Sequence, residues 1–201
     1  MTKPYDHLIK AAVYVASTCH KGPRTANREH IVAAIESQFR VDSLGKCHPT
    51  AKGPEGITLK FSTDVHENLM LKRNAISNYL FYLAFENTIE PGYVTEKVYD
   101  ALIAGIVPIY LGDSSFCKTL IPFTRAVIYL EDFGNDVERL VKYMKYLSSN
   151  ETAYEVRVST LLDTSFSNII LLSKFRSIEA HGVYLPKDRE LGCSLGILQK
   201  L

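Results

Sequence analysis

Charge of one sign, long apolar runs and paired cysteine motifs are all missing from this chain of 201 residues. Its 23 Lys and Arg balance 22 Asp and Glu, for a formal net charge of +1. No global basic field exists to attract nucleic acid or an acidic membrane, so any anion site must be built locally from a few cations and backbone N–H groups. No apolar run approaches the ~20 residues that span a bilayer, and Met1 to Asp6 lacks the basic-then-apolar pattern of a secretory signal. Cys19, Cys47, Cys117 and Cys193 form no CxxC pair. Asn150-Glu151-Thr152 is a glycosylation sequon, a pattern that arises often by chance and leaves the compartment open.

What is present is ordinary globular composition, 46% hydrophobic and 22% charged. It suits one domain with a short appendage, long enough to bury a core without metals or many disulfides. Ala11–Ser17 reads as a buried strand, and Asn27–Phe39 as a helix with Ile31, Val32, Ile35 and Phe39 near one face. Val41–Leu44 reads as a short strand and Gly45–Gly56 as a loop. A helix over Val65–Ser77 precedes the apolar strand Tyr79–Phe85. The next helix runs from Thr95 to Ala104 with Gly105 as its C-cap. Val107–Leu111 and Ala126–Leu130 are further strands. After Asn135 a helix places Val137, Leu140, Val141, Met144 and Leu147 on its buried side. Ser165–Phe175 is a candidate helix in a tail that is otherwise hard to read.

Regular alternation of strand and helix predicts an α/β fold, a Rossmann-like doubly wound parallel sheet covered on both faces. Ligands in such folds bind beyond the carboxyl ends of the strands, at a topological switch point. The loops after Ser17, Leu44, Phe85 and Leu111 are therefore the ones to search.

Two cations break a local rule at that edge. Lys97 falls in the first turn of its helix, where the macrodipole disfavours positive charge. It suits an anion sharing the free N–H groups of that turn, or it is an exposed lysine beside an exposed glutamate. Arg28 poses the same question in the helix after the first strand, with Arg24 as a competitor and a plain surface arginine as the alternative. Together a guanidinium fork and an ammonium point charge suit a diphosphate. Gly112-Asp113-Ser114-Ser115 caps a helix or approaches a nucleotide, with capping the plainer reading.

Cys19 and Cys47 each follow a predicted strand. If those strands are neighbours, the two residues fall within bridging range, a feature of oxidising compartments; two free thiols are the alternative. His20 and His48 follow the two cysteines and complete a nominal Cys₂His₂ set, but at an unusual ligand spacing.

The segment FYLAFENTIEPGYVTEKVYDALIAGIVPIYLG, Phe81 to Gly112, resembles the donor-binding signature of the α1,3/α1,4-fucosyltransferases, the family 10 glycosyltransferases. Upstream, VASTCH and NREHIVAAIESQFRVDSLGKC resemble the family's earlier block, with its arginine falling on Arg28. Downstream, DFGNDVERLVKYMKYLSSNETAY resembles the helix and following loop that close the donor domain. The likeness runs from about Val13 to Tyr154, and FEN, GYVTEK and VPIYLG in this order are a specific combination.

The resemblance implies the C-terminal donor domain of a GT-B glycosyltransferase, with residues 1–160 binding GDP-fucose and 161–201 forming a helical or irregular tail. It implies that Arg28 and Lys97 hold the diphosphate, Glu96 accepts hydrogen bonds from fucose hydroxyls, and Asn87 and Tyr93 position sugar and phosphates. Cations in that role stabilise the leaving GDP, so neither metal nor cofactor is required. The expected reaction moves L-fucose from GDP-fucose to a glycan or glycoprotein acceptor with inversion. The catalytic base is expected in an N-terminal acceptor domain lying ahead of the matched block, and Glu86 is not assigned that role. The resemblance also implies the Golgi lumen, with membrane attachment only through segments outside this chain. An incomplete or non-catalytic nucleotide-sugar-binding remnant is the alternative. An unrelated doubly wound phosphate-binding module would require the long match to be accidental.

Overall fold

The computed structural model describes residues 3–17, 19, 27–47, 49–50, 65–121 and 125–162. Strand and helix alternate through them as β1 (Ile9–Tyr14), α1 (Arg28–Glu36), β2 (Val41–Ser43), α2 (Val65–Ile76) and β3 (Tyr79–Phe85). There follow α3 (Glu96–Ala104), β4 (Val107–Leu111), α4 (Ser114–Leu120), β5 (Ile128–Tyr129), α5 (Val137–Ser149) and α6 (Glu151–Leu162). Among the described residues the five strands are all parallel, in the order β2-β1-β3-β4-β5.

That order reverses direction after β2. Because parallel crossovers are right-handed, the reversal sends the following helices to the opposite face. One core accordingly joins Val32 and Ile35 of α1 with Leu140, Val141, Met144 and Leu147 of α5 and Tyr154 of α6. The other joins Ile76 of α2, Val98 and Tyr99 of α3 and Cys117 of α4. Strand side chains divide between the faces with the pleat: Phe81, Leu83 and Phe85 enter the first core, Tyr82 and Ala84 the second. β3 is buried along its whole length, as expected of a central strand covered on both sides.

Three elements differ from the sequence reading. β1 ends at Tyr14 rather than Ser17, because β2 is short and its ladder with β1 closes at Tyr14↔Ser43. The strand expected over Ala126–Leu130 shrinks to two residues, since Leu130 opens a 3-10 turn that ends at Gly134, φ 69°. The loop expected after α5 is instead α6. Its cap is Asn150, whose side-chain oxygen accepts from Ala153 N at 2.9 Å. Tyr154 then anchors the helix by donating to Leu80 O at 2.8 Å. Residues 163–201, including the helix expected at Ser165–Phe175, lie outside the described residues, as do 51–64 of the segment after β2.

Candidate functional site

The switch point of this sheet lies between β1 and β3, where the strand order turns. Arg28 opens α1 just beyond β1 and is only 3% exposed. Its Nη1 donates to Phe85 O at 3.4 Å and to Asn87 Oδ1, and its Nε donates to Glu29 Oε1 at 3.2 Å. A buried guanidinium is costly unless hydrogen-bonded. Here the end of β3 and the chain just past it supply two acceptors and Glu29 of α1 another.

Lys97 is fixed to the same stretch of chain. Its Nζ donates to Glu86 Oε2 at 2.9 Å and to Thr95 Oγ1 at 2.7 Å. Glu86 is fully buried and also accepts from Thr95 N at 2.8 Å and from Thr95 Oγ1 at 2.6 Å. The anion beside the first-turn lysine is therefore, in the first instance, Glu86. The carboxylate thus satisfies the backbone N–H of Thr95, the residue that precedes α3 and makes no side-chain cap of its own. With each oxygen engaged, Glu86 is a structural anchor. Phe85, Glu86 and Asn87, three consecutive residues, thus hold both cations.

Glu96 stands at the mouth with its side chain 38% exposed, 3.5 Å from Lys97 Nζ and 3.7 Å from Lys72 Nζ. Burial opposes its ionisation. Lys97, Lys72 and hydrogen bonds at the helix start outweigh that and hold the carboxyl at about 2, against an ordinary 4.5. Tyr93 is half-buried on the loop between them. Burial raises its hydroxyl pKa, and it feels the charges of Lys97, Glu86, Glu96 and Arg28 together. The structure thus gathers Arg28, Asn87, Tyr93, Glu96 and Lys97 at one edge.

The helix cap expected at Gly112-Asp113-Ser114-Ser115 is Asp113, and two contacts around it were not assigned from sequence. Asp113 caps α4 by accepting from Phe116 N at 3.0 Å, and its second oxygen accepts from Gly92 N at 2.8 Å. The turn at Gly92, φ 77°, is thereby tied to the end of β4. Gly112 lies against the Glu86 anchor: a Cβ there would come within 2.4 Å of the Tyr110 hydroxyl and 2.9 Å of Glu86 Cγ. The capping pattern pointed to Asp113 as a helix start, but nothing in the sequence paired it with Gly92.

Cys19 and Cys47 are joined as a disulfide, their Cα atoms 5.4 Å apart, because β1 and β2 are adjacent. This commits both sulfurs that a Cys₂His₂ site would need, while His20 and His48 lie outside the described residues. Cys117 is buried and unbridged, and burial pushes its thiol up to about 12. Among the described residues no helix is long and apolar enough to cross a membrane.

Comparison with known proteins adds an independent line. The family described as glycosyltransferase family 10 (fucosyltransferase), C-terminal part, matches residues 7–157. Human GDP-fucose protein O-fucosyltransferase 3 is 32% identical over 164 residues, 82% of this chain and 32% of its own length. Alpha-(1,3)-fucosyltransferase B of Drosophila melanogaster is 30% identical over 144 residues, 72% of this chain and 31% of its own. A crystal structure of an α1,3-fucosyltransferase with GDP-fucose superposes with a TM-score of 0.58 at 28% identity, covering 78% of this chain and 40% of that one. A second crystal structure, with GDP, gives the same score. The chain spans about a third of the length of the curated relatives it matches.

Proposed function

The chain belongs to glycosyltransferase family 10, the fucosyltransferases, and on that premise we propose that it forms the GDP-fucose-binding part of an α1,3-fucosyltransferase. The observation that carries this reading is the fixing of Arg28 and Lys97 on Phe85, Glu86 and Asn87 at the switch point. Two cations held in place before the ligand arrives need no reorganisation when a diphosphate binds. Arg28 and Lys97 take the diphosphate, Asn87 and Tyr93 position it, and Glu96 accepts hydrogen bonds from sugar hydroxyls.

In the proposed reaction an acceptor oxygen bonds to the anomeric carbon of fucose as the bond from that carbon to the diphosphate oxygen breaks on the opposite face. The electron pair leaves on GDP, where the two cations stabilise it, and the anomeric centre inverts. The acceptor proton goes to a base that we assign to an acceptor domain rather than to Glu86, whose oxygens are engaged. We assign the donor domain to residues 1–160, with 161–201 as its tail. The Cys19–Cys47 bridge supports a lumenal, Golgi-like setting.

A second reading concerns the acceptor alone. The similarity to protein O-fucosyltransferase 3 favours a protein hydroxyl over a glycan hydroxyl. Incubation with GDP-fucose and either a glycan or a folded protein acceptor, followed by mass spectrometry, separates the two.

Calorimetric titration of the purified chain with GDP, GDP-fucose and UDP tests the donor site. Binding of the two guanine nucleotides but not UDP is expected. A folded chain that binds none of them is a remnant rather than a working donor domain.

A further inference from the structure

Six charged side chains alternate in sign from α2 to the end of β3. Arg73 Nε lies 2.7 Å from Asp100 Oδ1, and Lys72 Nζ pairs with Asp100 Oδ2. Lys72 Nζ also stands 3.7 Å from Glu96 Oε1, to which Lys97 Nζ stands at 3.5 Å, and Lys97 then meets Glu86. The order is Arg73, Asp100, Lys72, Glu96, Lys97, Glu86. Asp100 and Glu86 are fully buried, and Glu96 has the most exposed side chain of the six.

Glu96 and Asp100 are four residues apart on α3, so both point toward the same side of the helix, where like charges repel. Lys72, reaching across from α2, sits between them and relieves the repulsion. Buried ion pairs of this kind add little stability over apolar packing, so stability alone does not account for a charged Asp100 under α3. Its second consequence is positional. Asp100 is itself braced by Arg73, and it fixes the ammonium that meets Glu96.

We propose that Lys72 and Asp100 are positioning residues for the donor sugar: Asp100 fixes Lys72, and Lys72 holds the Glu96 carboxylate oriented at the edge of the site. This rests on the reading of Glu96 as the acceptor for sugar hydroxyls. Glu96 is faced by Lys72 from α2, by Lys97 and Asp100 of its own helix, by Tyr82 of β3, by Glu86 just past the end of that strand and by Tyr93 of the loop before α3. Of these, Lys72 and Lys97 are the cations. Lys97 is already shared with Glu86, so removal of Lys72 leaves Glu96 with one shared cation and the hydrogen bonds of the helix start.

The test uses the full chain, titrated calorimetrically with GDP-fucose and with GDP at neutral pH. Lys72→Met should lower GDP-fucose affinity roughly tenfold while GDP affinity changes less than about twofold. Lys72→Arg restores the cation and should recover most of the affinity. Asp100→Asn, checked for folding by circular dichroism, should reproduce Lys72→Met in weaker form. Glu96→Gln is the reference. If it weakens GDP-fucose binding and Lys72→Met does not, the positioning role is overturned and the donor-site reading stands. If Glu96→Gln changes nothing, the reading of Glu96 as the acceptor for sugar hydroxyls falls, and the positioning role with it. Equal loss of GDP and GDP-fucose in Lys72→Met would also overturn the inference, because it marks a general structural defect.

Discussion

Lys97 and Glu86 form an ion pair of 2.9 Å, with the carboxylate fully buried and the ammonium nearly so. The pair joins the start of α3 to the end of β3 at the sheet's switch point. Glu86 thereby offsets the unfavourable dipole at a helix start and holds the lysine still. Replacing Glu86 by Gln removes the nearer, buried counter-ion of this ammonium and leaves only the more exposed Glu96 at 3.5 Å. Loss of one partner of a buried pair typically costs about 3–5 kcal/mol, and urea unfolding of Glu86→Gln should show a deficit of that order. A change below about 1 kcal/mol would mean that the pair behaves as an exposed one.

Arg28→Ala and Lys97→Ala should each weaken GDP binding. Charge-assisted hydrogen bonds contribute about 1.5–3 kcal/mol, so calorimetry should record losses of roughly ten- to a hundredfold per variant. Normal GDP binding by both folded variants would remove the diphosphate assignment.

Gly112 has no room for a methyl group between Tyr110 and Glu86. Tyr110 is buried and cannot swing away freely. Gly112→Ala should therefore cost about 1–3 kcal/mol, the range for overpacking, measured by denaturant titration. Because the clash includes Glu86 Cγ, GDP affinity should fall with stability, whereas a remote core variant of equal cost would spare it.

The Cys19–Cys47 bridge closes a loop with a sequence separation of 28. In the chain-entropy model such a loop stabilises by about 3–4 kcal/mol. Addition of a reductant, or Cys47→Ser, should lower the unfolding midpoint accordingly. An unchanged midpoint would mean that the unfolded chain is already constrained near these residues.

Glu96 carries a pH signature. Its folded carboxyl is depressed to about 2 from 4.5. Stability from its ionised form is fully present above about pH 4.5 and is lost as pH falls toward about 2. Since the side chain is more than a third exposed, the effect is modest. Across pH 2 to 6, Glu96→Gln should show a shallower fall in unfolding midpoint than the wild-type chain. Parallel curves would show that Lys72 and Lys97 do not hold the carboxylate in solution.

The strands and helices that were legible in sequence share a property: each has a dense local pattern. Tyr79–Phe85 is an unbroken apolar run, and the spacing of Leu140, Val141, Met144 and Leu147 marks a helix face. α6 was missed because Asn150 caps it within a polar stretch, where the same residues also read as a loop. Ala126–Leu130 misled for the opposite reason. It is apolar enough for a strand, but Gly134 and the turn before it end the pairing after two residues.

Composition and motif by themselves determined the α/β class, the carboxyl edge as the place to look, and Arg28, Asn87, Tyr93, Glu96 and Lys97 as the residues to examine. The class and the edge follow from local periodicity, Arg28 and Lys97 from their first-turn positions as well, and Asn87, Tyr93 and Glu96 from the resemblance to the family's motif. Only the tertiary structure decided that Glu86 is the partner of Lys97, that Asp113 holds the Gly92 turn, and that Lys72 reaches Glu96 from another helix. Those contacts join residues brought together by the parallel crossovers. A side chain's electrostatic partner depends on distance through space, which spacing along the chain does not encode.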